Sequence, residues 1–274
     1  VSDLLAIEGL RVEFRNGDTR TEVLHGVSLD VAAGEIHGIV GETGSGKSTT
    51  ALATLGLLPR GGVITAGSIN FAGRELVGCA EADLRAVRGS EIAMILQNPR
   101  TALYPLSTVE RQMLTVLQVR GRAGRRRGRE RVREYLELAG VSDPERVARA
   151  YPHELSGGLA QRVVIATSLI REPALLIADE PTTGLDVTIQ LQVLQLLDDL
   201  RRSLHLAVMM ITHDLGIVTS FCDRVTVMRS GDIVESGTTR DVLGNPQAPY
   251  TVALMEASRL RPSRERRTAV PEHL

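Results

Sequence analysis

The chain has 274 residues, 43% hydrophobic and 24% charged, with a formal charge of −1. This length suits one large domain or a domain with a subdomain, and the composition is that of a soluble globular protein. The balanced charge excludes a global attraction to nucleic acid or anionic lipid. Cys79 and Cys222 stand far apart without metal-ligand spacing and read as thiols of a reducing, cytosolic chain. No apolar run approaches the roughly 18 residues that span a bilayer, and VSDLLAIEGL lacks the charged and apolar regions of a signal peptide.

In chain order, LLAIEGLRVEF and SLDVAAGEIHGIV alternate apolar and polar residues and predict strands split by NGD and AAG turns. HGIVG is a short apolar run ending in glycine, and STTALATLGLL after it has helical composition. GSINFAGREL predicts a strand and turn, and EIAMILQ a buried strand. From about 100 to 160 helical periodicity takes over, in TVERQMLTVLQV and RRGRERVREYLELAGV, which predicts a helical subdomain inserted in the core. Alternation then resumes with the strand PALLIAD, the helix VTIQLQVLQLLDDLRRSL and the strand HLAVMMIT. RVTVMRSGDIVESG predicts a hairpin on a tight SGD turn. Residues 1–258 are expected to form the domain and 259–274 a polar, arginine-rich, loose tail. Parallel βαβ units, added antiparallel strands and a helical insertion make the expected fold class α/β.

GETGSGKSTT contains Lys47, the single lysine among 32 basic side chains. Gly41, Glu42, Thr43, Gly44, Ser45, Gly46, Lys47 and Ser48 match G-x-x-x-x-G-K-[ST], between a predicted strand and a predicted helix. Glycines let backbone N–H groups converge on phosphate oxygens, and the helix adds its positive end. The ammonium is a compact point charge, whereas a guanidinium is a wide planar fork that fits such a cradle poorly. The Ser48 hydroxyl is placed to ligate Mg²⁺. The pattern points to a nucleotide phosphate site without saying what the energy drives.

LLIADE is an apolar strand ending in two acids. Asp179 at a strand end can hold Mg²⁺ through water, and Glu180 can polarise an attacking water. Alone, this pair reads as a solvated turn. Ser156-Gly157-Gly158 opens the helix GGLAQRVVIATSLI, either as an ordinary serine cap or as a second phosphate-facing helix end.

Leu155-Ser156-Gly157-Gly158-Leu159-Ala160-Gln161 resembles the LSGGxxQ signature of the ATP-binding cassette family, and the likeness covers nearly the whole chain in the expected order. The resemblance implies a P-loop NTPase core with an antiparallel β subdomain and an inserted α-helical subdomain. It implies two such subunits facing head to tail, with each ATP between one P-loop and the partner's signature helix. Lys47 and the amides from Gly44 to Thr49 would hold phosphates, and Ser48, Gln97 and Asp179 would serve Mg²⁺. Glu180 would be the general base, and His213 in MMITHD would contact the γ-phosphate. Asp186 would lie at the dimer seam, and Leu155, Ser156, Gly157, Gly158 and Gln161 would meet the partner's ATP. Phe14 stands where the family stacks an aromatic on adenine, with a core phenylalanine as the competing reading.

LPRGGVITAGSINFAGREL, AMILQNPRTALYPLSTV, TTGLDVTIQLQVL, THDLGIV and PYTVALM resemble ATPase subunits of peptide and nickel importers, PYT being the most particular. The resemblance implies a second cassette subunit of different sequence, two membrane permeases, an extracytoplasmic binding protein and a peripheral place on the cytoplasmic face of the membrane. Asn98 departs from the group, which more often has Asp, and the cysteine cluster that many of these subunits carry after PYT is missing. With the catalytic glutamate, histidine and signature all present, at least one ATP site is expected to hydrolyse.

The run RGRAGRRRGRERVRE, 120–134, reads as a solvated helix start. It has no interleaved aromatics for base stacking, so no nucleic-acid partner is expected. Two other classes compete with transport: a cassette ATPase without a membrane partner, and a subunit of a phosphonate-cleaving enzyme assembly. The first usually shows a long coiled-coil insertion or two fused cassettes, neither of which is present.

Overall fold

The computed structural model describes residues 3–97, 99–118 and 121–260. The NGD turn separates β1 (Asp3–Asn16) from β2 (Thr19–Ala32), which pair antiparallel along their length. The AAG turn leads into β3 (Ile36–Val40), every residue of which is buried. The loop 41–46 then runs into α1 (Lys47–Thr54). β4 (Gly62–Phe71) pairs with the free side of β1, starting earlier than its apolar pattern predicts because Phe14 and Val12 hold Gly62 and Ile64 in register. β5 (Arg74–Glu75) completes a four-stranded antiparallel sheet in the order β2-β1-β4-β5.

After α2 (Glu81–Val87) comes β6 (Ile92–Ile95). A helical stretch follows: α3 (Pro99–Ala102), α4 (Val109–Val116), α5 (Gly121–Leu138), α6 (Pro144–Arg149) and α7 (Gly157–Leu169). Strands and helices then alternate through β7 (Leu175–Asp179), α8 (Val187–Leu204), β8 (Ala207–Thr212), α9 (Leu215–Phe221) and β9 (Arg224–Arg229). β10 (Asp232–Thr238), α10 (Thr239–Gly244) and α11 (Pro249–Leu260) close the described chain. Ser230 and Gly231 both take positive φ, the geometry of a two-residue hairpin turn that follows strand twist.

The second sheet has the order β10-β9-β3-β8-β7-β6, parallel except for the β10 edge. Alternation along its strands divides the core. Leu176, Ala178, Val208 and Met210 point into the cluster with α7 and α8, and Leu175, Ile177, Met209 and Ile211 into the cluster with the antiparallel sheet. Each such Leu or Ile, fully buried, contributes about 1.5–3 kcal/mol. Because β3, β8, β7 and β6 are adjacent and parallel, the loops leaving their C-terminal ends gather at one edge, where ligands bind in open α/β sheets.

α2, α9, α10 and α11 were not expected from periodicity. The first three are too short for a helical repeat to register, and polar caps start two of them: Asp214 accepts from the backbone of Gly216, and Thr238 from that of Asp241. α11 runs to Leu260, past the boundary expected at 258. Asn98 and the tail residues 261–274 lie outside the described residues.

Candidate functional site

The loop after β3 is built on glycines with positive φ. At Gly41 (φ 151°) a Cβ would lie 2.1 Å from the Met228 carbonyl oxygen, and at Gly46 (φ 102°) 2.6 Å from Leu24. A side chain at either place is strained by the positive φ, and at Gly41 it also meets backbone. Gly46 caps α1 without a side-chain hydrogen bond, and the first turn of α1 carries no acid. The leading amides of α1, Lys47, Ser48 and Thr49, therefore form an uncapped positive helix end suited to an anion. Glu42, Thr43 and Gly44 are exposed along the loop, while Ser45 is buried and donates its amide to the Glu42 carbonyl at 3.1 Å.

Lys47 is only 7% exposed, and its Nζ donates to the carbonyls of Gly41 and Glu42, both at 2.8 Å, and to Ser45 Oγ at 3.2 Å. Burial pulls its pKa below the usual lysine value, opposed by the charges of Glu180, Asp179 and Glu42. The ammonium thus sits among backbone oxygens that it can exchange for phosphate oxygens.

Across the strand ends, Asp179 closes β7. Burial raises its pKa, and a hydrogen bond from Ser48 opposes the rise. Glu180 follows with a positive φ of 47°, an uncommon backbone for a non-glycine, and donates its amide to the Ile211 carbonyl at 2.9 Å. Its carboxylate meets three loops. Gln97 Nε2 and Thr183 Oγ1 each donate to Oε2 at 2.8 Å, and His213 Nδ1 lies 2.9 Å from Oε1. Burial would raise the Glu180 pKa, but the hydrogen bonds from His213, Thr183 and Gln97 outweigh it and hold it low. The fold thus brings Lys47, Ser48, Gln97, Asp179, Glu180 and His213 to one edge. Ser48, Gln97 and Asp179 offer oxygen ligands, which match a hard cation such as Mg²⁺.

Ser156 caps α7 by accepting the Leu159 amide at 3.3 Å, and Asp186 caps α8 by accepting that of Ile189 at 3.0 Å. The two turns touch: a Cβ on Gly158 would lie 2.8 Å from Ile189, and one on Gly157 3.6 Å from Leu185. Ser156 and Asp186 are exposed. Gln161 requires a correction. Its side chain is 1% exposed, with neither amide atom hydrogen-bonded among the described residues, so it cannot touch a ligand across a subunit seam. Five residues after Ser156, at about 100° per residue, it lies about 140° round the helix, on the packed face of α7. The Leu155 side chain is buried too and anchors the turn from below.

Phe14 stands on the antiparallel sheet. It is half-buried in β1, opposite Thr21 and Gly62, and lines a recess with Arg15, Asn16, Gly17, Arg60 and Gly61. Sequence reasoning missed Thr183, whose only signal was a hydroxyl three residues beyond Glu180. It also missed Tyr250 of PYT, whose hydroxyl accepts the Glu42 amide at 3.4 Å while its ring lies under Arg229.

Comparison with known proteins matches this arrangement. Residues 24–183 match the ABC transporter family model. The Probable peptide ABC transporter ATP-binding protein y4tR of Sinorhizobium fredii is 47% identical over 98% of this chain and 80% of its own length. The Oligopeptide transport ATP-binding protein OppD of Bacillus subtilis is 42% identical over 99% of this chain and 76% of its own. A dimeric structure of the ATP-binding cassette MJ0796, in a post-hydrolysis state with ADP and Pi, superposes with a TM-score of 0.75 at 27% identity. That match covers 86% of this chain and 99% of the other. With its strand-end phosphate loop, acidic pair and glycine-opened α7, the chain belongs to the ABC transporter family, as an ATP-binding, ATP-hydrolysing subunit.

Proposed function

We propose that this subunit powers an importer of peptides or closely related small solutes, binding ATP with Mg²⁺ and hydrolysing it as it closes on a second ATPase subunit. The single observation that carries hydrolysis is the convergence of Lys47, Asp179, Glu180, Gln97 and His213 on one sheet edge. Lys47 and the α1 amides hold the phosphates, Glu180 takes the proton of the attacking water, and His213 faces the terminal phosphate. Bound Mg²⁺ neutralises phosphate charge, and Ser48, Gln97 and Asp179 hold it directly or through water. Among the described residues no group of three or more His, Cys, Asp or Glu could hold a metal unaided, which suits a cation shared with phosphate. Ser156, Gly157 and Gly158 present the α7 end to the partner's nucleotide, and Asp186 borders the seam. Phe14 stacks on adenine.

Peptide cargo rests on the names of the relatives. Coupling rests on an apolar groove of about 360 Å³ beside Gln97, lined by Leu57, Leu96, Leu103, Val116 and Val164 among others. Leu57 and Leu96 are nearly half exposed there, and a short amphipathic helix of a permease would cover them. No helix among the described residues is long and apolar enough to cross a membrane. In this reading the subunit attaches to the cytoplasmic face of the membrane through two permeases, and an extracytoplasmic binding protein chooses the solute. Co-purification with neighbouring gene products and uptake by the reconstituted assembly test the reading. ATP-dependent peptide accumulation supports it. Recovery with soluble lyase subunits, or uptake of nickel but not peptides, overturns it in whole or in cargo.

A further inference from the structure

The N-terminal half of α5 carries a charge pattern that nucleotide hydrolysis does not use. Between residues 121 and 134 the chain places seven arginines against two glutamates, while the whole chain is net −1. Arg125, Arg129 and Arg133 recur every four residues and so share one stripe. With Arg126 and Glu130 they line a surface recess of about 410 Å³. Arg129 is paired with Glu110 at 2.8 Å and Arg133 with Glu145 at 3.2 Å, and Arg126 reaches Glu130 only at 3.8 Å with 84% of its side chain exposed. Arg125 and Arg127 are exposed, with no acidic partner among the described residues. Val132, Tyr135 and Leu136 fix the opposite face in the core. Like charges at this spacing destabilise a helix unless something anionic lies against them.

We propose that this stripe docks on the anionic lipid headgroups of the membrane beside the permeases. The inference rests on the proposed function, because the groove that would receive a permease segment fixes which side of the subunit faces the membrane. The stripe belongs to that side. Arg129 grips Glu110 on α4, and the same helix ends at Val116 in the groove wall, about 9 Å further along its axis. Nucleic acid is the weaker match, since the one aromatic of α5, Tyr135, is buried and offers no stacking platform. A lipid surface asks only for clustered positive charge, with each basic side chain adding to the attraction.

The test floats the full chain with extruded vesicles of phosphatidylcholine, with or without phosphatidylglycerol, at low and high salt. The expected result is recovery with the phosphatidylglycerol vesicles alone, lost at high salt. Arg125→Ala/Arg126→Ala/Arg127→Ala should lower that recovery at least about tenfold. These side chains are exposed and make no strong pair, and alanine suits a helix, so folding and nucleotide binding should persist and are measured alongside. Equal recovery with neutral vesicles, no recovery with anionic ones, or full recovery of the triple variant would each overturn the proposal. So would a single-stranded oligonucleotide that displaces the chain from vesicles at lower concentration than free phosphatidylglycerol headgroup. Failure to assemble with permeases, with vesicle binding intact, would strike the transport reading and leave the lipid surface standing.

Discussion

Gln97 donates its side-chain amide to Glu180 at 2.8 Å, on the same carboxylate oxygen that Thr183 reaches, while His213 holds the other oxygen at 2.9 Å. A carboxylate so engaged has few lone pairs left to orient water. Gln97 and His213 are also the two groups proposed to reach Mg²⁺ and the terminal phosphate, and each has a second polar atom, Oε1 and Nε2, left over for that contact. Both can therefore link Glu180 to the loaded site while holding the carboxylate in place.

Glu180→Gln keeps the shape of this side chain but replaces one of its two accepting oxygens with an NH₂ and removes the proton acceptor. In the intact complex it should bind ATP normally and hydrolyse it at least about 10²-fold more slowly. Phosphate release measured beside nucleotide affinity checks this. Turnover near the unmodified rate would mean that another group is the base.

Thr183 donates its hydroxyl to Glu180 from within the same turn at 2.8 Å. Its amide also donates to the Glu180 carbonyl at 3.1 Å, so one residue holds both ends of this strained turn. Thr183→Ala should lower kcat about tenfold, the worth of a hydrogen bond to a charged group, with KM for ATP little changed. Thr183→Ser should restore the rate. An effect on KM alone would place the residue elsewhere in the cycle.

Lys47 separates charge from shape. Its Nζ lies among the Gly41 and Glu42 carbonyls and Ser45 Oγ in a pocket that leaves it 7% exposed. A guanidinium keeps the charge but cannot place five donors in that space. Lys47→Arg should then weaken ATP binding nearly as much as Lys47→Ala, which calorimetry would read directly. Wild-type affinity in the arginine variant would remove the steric explanation for the lone lysine.

Much of this was legible in the sequence for a physical reason. Lys47, Asp179 and His213 each follow a short apolar run, and parallel strands gather their C-terminal ends at one edge. A residue at a strand end is therefore placed by its strand. Gln161 shows the limit: a motif position gives a residue's distance along a helix, not which face it shows, and here the packed face took the amide. Thr183 and Tyr250 escaped because their contacts depend on side-chain reach across turns, which leaves no period to read. The short capped helices α9 and α10 escaped because seven residues or fewer carry too little periodicity.

Acid should unfold the protein through the seam between its two sheets. Hydrogen bonds from Arg224 hold the Asp30 carboxyl below its ordinary 3.8. Burial would raise Glu35 above its ordinary 4.5, but contacts with His37, the Ala32 amide and Arg224 outweigh it and lower it. Both folded values are depressed, so the stabilisation is complete above the ordinary values and is lost as pH falls through them toward the folded ones. Arg224→Met should lower the melting temperature at neutral pH and flatten its fall below about pH 4.5. An unchanged acid slope would show that these carboxyls do not set it.

Gly41 ties the phosphate loop to the β9 hairpin, and its substitution should reveal how rigid that tie is. Its φ of 151° disfavours any side chain, and the added Cβ of Gly41→Ala would sit 2.1 Å from the Met228 carbonyl and 2.8 Å from Ser45 Oγ. The obstacle is backbone, which cannot rotate aside as a side chain could. Next to it, Gly231 donates its amide to the Ser45 carbonyl at 3.0 Å, so moving the hairpin would also pull on the loop. Strain and overpacking together should cost about 3 kcal/mol or more, and roughly 6 °C in Tm for a chain of this length. Because the displaced atoms border Lys47, ATP affinity should fall with stability. Thermal melts with and without nucleotide would separate the two losses, and a stable variant with normal affinity would mean that the hairpin yields.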